Sequence, residues 1–305
     1  MSRCTTAPAG TDLLPGEAVD AGWAKNEPGP ERWHAVYLSP HFDDAVLSCG
    51  ASIRRRTQAG QRVLVVTVCA GAPPTGDALS PFARALHARW SEGLGGADLT
   101  AEGAVALRRA EDARAVALLG AAACWLDFPD AVYRRDRRQQ WPYDCDSTLF
   151  GRLAPSDRPL VQRLAARLGD IAGIAGGTPV FVPLAVGGHV DHRLVRSAAG
   201  RWLGGTRPWH YEDYPYAADP EALRAALTPA GAWVPRATAV TEHHVQAKIA
   251  AAACYGSQLS TFWAGRDHME RRIREFAASR GSRGMVERCW RRAPERRPAP
   301  SAMHQ

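Results

Sequence analysis

Two unbroken apolar runs, 33–39 (WHAVYLS) and 61–71 (QRVLVVTVCAG), flank a helical stretch at 44–60 (DAVLSCGASIRRRTQAG) that Gly60 closes. Runs of β-branched residues without alternation suit strands buried on both faces, and strand, helix, strand within about 40 residues is a βαβ unit, which requires a parallel sheet. The rhythm continues with a helix at about 102–119 ended by Gly120, a strand at 123–128, a helix near 158–172, an apolar run at 178–186 and a helix opening at His189. The expected fold is α/β, a Rossmann-like, doubly wound, mostly parallel sheet flanked by helices. Segments 207–217 and 232–241 add edge strands to this scheme, and 242–256 and 267–279 add helices. The Gly- and Pro-rich stretch 72–100 and the similar 129–157 are long loops, of the kind that build active sites.

The 305 residues, 46% hydrophobic and 23% charged, have the make-up of a globular protein and divide into three parts. Residues 1–30, Gly-, Pro- and Ala-rich without period, form a flexible arm; 31–280 form one α/β domain; 281–305 form a basic, disordered tail. From Arg271 onward ten arginines face three acids, which accounts for the whole net charge of +7. A basic excess confined to one end is a solvated tail, so no nucleic-acid partner is expected. No apolar stretch approaches the roughly 20 residues of a membrane span, and the first residues lack a signal peptide's basic and apolar regions, so the expected location is the cytoplasm. Seven scattered cysteines without a Cys-x-x-Cys pair exclude a disulfide framework and a cysteine zinc site, and Cys49, Cys69 and Cys124 are expected as free core thiols.

In open α/β sheets ligands bind beyond the carboxyl ends of the strands, so the residues just after each strand carry the chemistry. After the first strand stands Ser39-Pro40-His41-Phe42-Asp43-Asp44, and after the fourth Gly187-Gly188-His189-Val190-Asp191-His192. Each cluster alone also fits helix capping. Together they supply imidazoles and carboxylates for an open tetrahedral zinc with carboxylates to spare. His41 and Asp44 are three apart at a helix start and can aim at one point, which leaves Asp43 differently directed and free to act as a base. Of His189 and His192, also three apart, one can bind metal while the other faces substrate. The segment Tyr211-Glu212-Asp213-Tyr214-Pro215-Tyr216 fits either a sugar pocket or a half-buried edge strand.

At Pro40-His41-Phe42-Asp43-Asp44 and His189-Val190-Asp191-His192 the chain resembles the zinc-dependent N-deacetylases of the LmbE-like or PIG-L type, and the likeness spans roughly 33–260. Arg108-Arg109-Ala110-Glu111 with Leu119-Gly120, and then Phe128-Pro129-Asp130, resemble the family's intervening helix and substrate-side loop. The resemblance implies an LmbE-like fold and one zinc ion, for which Fe2+ or Co2+ can substitute, held by His41, Asp44 and His192. It further implies Asp43 as general base, His189 as general acid or oxyanion stabiliser, Asp191 as the residue orienting His189, and Arg108 and Asp130 as substrate contacts. The implied reaction is hydrolysis of an N-acyl, here N-acetyl, amide on a small amino sugar or glycoside. The chain departs from the common pattern at Phe42 (often Pro), Ala45 (often Glu) and Gly187 (Tyr in some members), and Tyr211 or Tyr214 are candidates to replace that tyrosine near the oxyanion. Two alternatives stay open: an amidase of a nonsugar or thiol-conjugate amide, and a Rossmann-type nucleotide-sugar binding protein or transferase, though the first βα turn lacks a Gly-x-Gly-x-x-Gly phosphate cradle.

Overall fold

The computed structural model describes residues 5–7, 32–73, 76, 78–92, 100–228 and 232–293. One eight-stranded sheet runs through it, in the spatial order β1-β4-β3-β2-β5-β6-β8-β7. Its strands are β1 (Thr5–Ala7), β2 (Ala35–Ser39), β3 (Val63–Thr67), β4 (Ala122–Trp125), β5 (Val180–Pro183), β6 (Trp209–Tyr211), β7 (Trp233–Ala239) and β8 (Val286–Arg292). The five strands β4-β3-β2-β5-β6 are mutually parallel, and β1, β8 and β7 add on antiparallel. The expected parallel core is present. The order reverses between β2 and β5, and at such a switch point the two chains leave the sheet in opposite directions and open a crevice.

The unbroken runs fold as strands because each residue has a core to enter. In β2 and β3, Ala35, Tyr37, Val63 and Val65 enter the core on one face, while Val36, Leu38, Leu64 and Val66 enter the core on the other. Helices α1 (Asp44–Gln58), α2 (Pro81–Glu92), α3 (Ala101–Leu118) and α8 (Glu242–Ala252) cover the first face. The second carries α5 (Arg158–Gly169) and α6 (Val190–Leu203). Around this frame lie α4 (Asp146–Leu149), α7 (Pro220–Ala226), α9 (Gly256–Phe262) and α10 (Arg266–Ser279).

Several expectations change. The stretch 72–100 is not all loop, since it contains α2. Segment 207–217 contributes β6, an interior strand rather than an edge. The domain does not stop at 280: β8 pairs with both β6 and β7, so 286–292 is part of the sheet and not of a tail. The expected tail beyond 293 and the arm at 1–4 and 8–30 lie outside the described residues. Cys49, Cys69 and Cys289 are free and buried. Cys124, however, is disulfide-bonded, and β1 lays the N-terminal segment against it with Thr6 opposite.

A buried carboxyl ties α3 to the sheet. Asp112 accepts hydrogen bonds from Thr67 Oγ1 (2.9 Å), Trp125 Nε1 (2.8 Å) and the Tyr255 hydroxyl (2.8 Å). Burial, aided by nearby Asp43 and opposed by the three donors, pushes its pKa up to about 7. In the unfolded chain the same carboxyl ionises near ~3.9, so between these values the folded state holds a proton the unfolded state has lost, and stability falls as pH rises. Asp112→Asn keeps an acceptor for Trp125 and a donor for Tyr255 and is expected to remove that part of the slope. Urea midpoints at about pH 5 and about pH 8 check this, and an unchanged slope in the variant contradicts it.

Candidate active site

The turn after β2 sets the first half of the site. Ser39 Oγ accepts from Ala45 N (2.9 Å) and donates to the His41 carbonyl (2.6 Å), so a serine upstream serves the start of α1. Asp43 occupies the N-cap position but makes no side-chain cap. Its carboxylate is left over for chemistry. Asp44 instead turns back, and its Oδ2 accepts from the His41 backbone N–H at 2.8 Å.

The second half comes from the turn after β5, where Ala185, Gly187 and Gly188 all take positive φ (62°, 79° and 84°). A Cβ on Gly187 would lie 3.1 Å from the Tyr216 ring, so glycine here lets that ring close over the turn. The turn ends at His189, which caps α6 by accepting from Asp191 N at 3.1 Å through Nδ1. His192 stands one turn further into the helix, and its Nδ1 lies 2.7 Å from Asp213 Oδ1.

Across the crevice the two halves meet at one atom. Asp44 Oδ2 lies 3.2 Å from His41 Nδ1 and 3.3 Å from His192 Nε2. One carboxylate oxygen and two imidazole nitrogens therefore converge, the donor set of an open catalytic metal site. His41, His189 and His192 also place ring nitrogens within 4.8 Å of one another, but His189 Nδ1 is engaged by the helix backbone. A second grouping, His41 with Cys69 and Asp191, shares His41; there Asp191 is committed to Arg134 and Ala131. His41, Asp44 and His192, which converge through Asp44 Oδ2, are the residues that could hold a divalent ion.

Charges follow from this packing. Burial raises the Asp43 pKa to about 6 and Asp44 adds to the rise, while Arg108, 3.6 Å from Asp43 Oδ1, and His41 oppose it. Burial would raise Asp44 as well, but His192 and His41 hold it well below the usual carboxylate range. Burial would lower the His41 pKa, yet Asp130, Asp191 and Asp44 raise it, and the His192 pKa rises to about 10 against burial through Asp44 and Asp213. Burial and the neighbouring His41 push His189 well below its ordinary value. With Nδ1 accepting a backbone N–H, neutral His189 carries its proton on Nε2.

Asp191 does not orient His189. Its carboxylate meets His41 Nε2 (3.1 Å), Ala131 N (2.9 Å) and Arg134 Nη1 (2.5 Å), and only its backbone reaches His189. Residues two apart at a helix start point away from each other, which is why the pairing fails. Arg134, paired also with Asp157 (3.0 Å), fixes Asp191 and through it His41. Tyr211 and Tyr214 do not reach the site either. The Tyr211 hydroxyl donates to Leu38 O at 2.8 Å inside the core, and Tyr214 stacks on Trp263 and packs at a tilt against Phe276. Glu212 is buried against Arg288, Arg280 and Trp290.

A cavity of about 130 Å³ opens over the cluster, and Asp43, Arg108, Asp130, His189, Phe150 and Tyr216 are on its wall. The Arg108 guanidinium lies over Trp90 (4.7 Å) and Phe42 (5.4 Å). Asp130 Oδ2 is 3.6 Å from His41 Nε2. Helix α9 supplies Gln258 and Phe262 to the cavity wall, and Glu111 anchors that helix by accepting from Ser257 N (2.8 Å) and Ser257 Oγ (2.6 Å). Sequence reasoning missed Arg134 and Gln258, and it placed Asp213 and Tyr216 only in a possible sugar pocket.

Because Asp213 accepts from the far nitrogen of His192 and also from Val186 N (2.9 Å), it fixes both the ring and the turn. Asp213→Asn is expected to weaken divalent-metal affinity by about 10- to 100-fold with the ligands intact. Competition against a chromogenic chelator measures it, and an unchanged affinity contradicts the assignment.

The family described as PIG-L: GlcNAc-PI de-N-acetylase matches residues 36–203, which contain both clusters. A 2'-N-acetylparomamine deacetylase of Niallia circulans is 32% identical over 189 residues, covering 59% of this chain and 66% of the relative. Its namesake from Streptomyces fradiae is 32% identical over 237 residues, 74% of each chain. Among solved structures, a deacetylase–teicoplanin complex from the teicoplanin biosynthesis pathway aligns with a TM-score of 0.69 at 28% identity, over 85% of this chain and 98% of that one. The zinc-inhibited form of teicoplanin deacetylase Orf2 aligns at 0.67 and 29%, over 86% and 99%. With the family match covering both clusters, and with a doubly wound sheet that brings them together at its switch point, the chain belongs to the PIG-L (LmbE-like) family of de-N-acetylases.

Proposed function

We propose that the chain is a metal-dependent hydrolase that removes the acetyl group from the nitrogen of an amino sugar carried on a larger small molecule, releasing acetate and a free amine. The observation that carries this reading is the convergence of His41 Nδ1 and His192 Nε2 on Asp44 Oδ2, at 3.2 and 3.3 Å, beside an uncommitted Asp43. A divalent ion such as zinc held there supplies a water whose pKa falls toward about 7 and a positive charge against an amide carbonyl.

The chain's own residues do the rest. Asp43 takes the proton of the attacking water and returns it to the leaving nitrogen as the C–N bond breaks. Arg108 holds Asp43 in place while burial keeps its basicity up. His189, with its proton on Nε2, donates a hydrogen bond to the carbonyl oxygen as negative charge gathers there. Tyr216, on the same wall, is the second donor we assign to that oxygen. Asp191 and Asp213 orient His41 and His192 and take no part in bond making.

The small cavity admits an acetamido group and part of one ring, so the remainder of the substrate lies outside it, beside the exposed Asp146 and Arg89. An N-acetylated aminoglycoside such as 2'-N-acetylparomamine, the substrate in the relatives' names, fits this arrangement. The reading is tested with the metal-loaded protein on a panel of N-acetylated amino sugars and their glycosides, with free amine and acetate both measured. Equimolar release from at least one supports it, and no release from any contradicts it. Among the described residues no helix is long and apolar enough to cross a membrane.

A further inference from the structure

A second cavity, of about 490 Å³, shares no lining residue with the one over His41 and Asp43. It lies beyond the C-terminal half of α6, between the α6–β6 connection and the paired ends of β7 and β8, and its size is that of a small-ligand pocket. Arg196, Arg207 and Arg292 line it, and among the described residues that line it none is acidic. Among the described residues none of the three makes an ion pair. Arg196 is held in place by donating to Leu184 O at 2.7 Å. Burial lowers its pKa, as do the charges of Arg292 and Arg193, against the pull of Asp213. His210 adds no charge, because burial and Arg196 push its pKa down to about 3.

Trp233 also lines the cavity and is 8% exposed. Guanidinium groups lie over its ring, Arg292 at 4.5 Å and Arg196 at 5.3 Å from the centroid, so the ring gathers two of the three arginines at the cavity. Register fixes this grouping, since Trp233 pairs with Arg292 across the β7–β8 ladder. Arg207 reaches the same strand end, donating to Arg292 O at 3.2 Å.

Clustered guanidinium forks without carboxylates match the several oxygens of a phosphate far better than a single carboxylate. We propose that this cavity is an anion site that binds a small phosphorylated ligand by its phosphate or diphosphate group, through Arg196, Arg207 and Arg292.

The test is calorimetric titration of the metal-loaded protein with inorganic pyrophosphate at constant ionic strength. The expected result is saturable binding of one pyrophosphate per chain, weakened by about tenfold or more in Arg292→Gln and in Arg207→Gln, each of which removes a charged donor to the anion. Arg207 and Arg292 are both exposed, so melting temperatures near that of the parent protein accompany the loss. Absence of saturable binding overturns the proposal. So does binding that both variants leave unchanged, which places the pyrophosphate elsewhere, for example on the metal.

Discussion

Asp43→Asn is expected to retain the fold and about one metal ion per chain while lowering kcat by roughly 10²–10⁴, the range for loss of a general base. The expectation rests on the division of labour in the turn after β2. Asp44 is committed to His41 and His192, whereas Asp43 neither caps α1 nor meets a ligand nitrogen. Asn at 43 is nearly isosteric and cannot take a proton. Its neighbour is the control, since Asp44→Asn should lose metal first and activity as a consequence. Metal analysis beside steady-state kinetics separates the two, and equal metal loss in both variants contradicts the assignment.

His192→Ala is expected to leave the protein with less than about a tenth of an equivalent of metal and no measurable turnover, because a site with three protein ligands has little redundancy. The loss is compounded locally. Without the imidazole, the buried carboxylates of Asp44 and Asp213 lose the group that both contact, at 3.3 and 2.7 Å, and an unpaired buried charge is strongly destabilising. A lower melting temperature should therefore accompany the missing metal. A His192→Ala protein with full metal content would place the ion elsewhere.

The sheet's centre was legible because β2, β3 and β5 lie where both faces are covered, and their sequences carry that burial as unbroken apolar runs. β8 was not. Its inward-facing residues are Glu287 and Cys289, and Glu287 is buried only because Lys248 Nζ (2.8 Å) and the α1 backbone N–H groups of Ala51 and Ser52 satisfy it. A charge on the inward face erases the hydrophobic pattern, and the surrounding arginines make the segment look like a tail.

The site divides in the same way. His41, Asp43, Asp44, His189 and His192 stand in two short motifs at strand ends, and strand-end position is enough to bring such motifs together at a switch point. The supporting residues Arg134 and Gln258 come from elsewhere in the chain and carry no local signal: Arg134 reaches the crevice from a connection, and Gln258 from α9. Three tyrosines within six residues, 211, 214 and 216, were indistinguishable by composition. Backbone direction after β6 decides that only Tyr216 meets the cavity. Asp213 had a usable signal, since it lies just past the end of the strand beside β5, where a partner for the far nitrogen of a metal-binding histidine belongs.

The central claim is that acetyl removal depends on a divalent ion at His41, Asp44 and His192. Acetate release from an N-acetylated amino sugar, followed in one preparation as isolated, after chelation and after return of a single equivalent of zinc, tests it most directly. The account predicts activity that disappears on chelation and returns with about one metal per chain, in equimolar step with free amine. Full acetate release by the metal-free protein would contradict it.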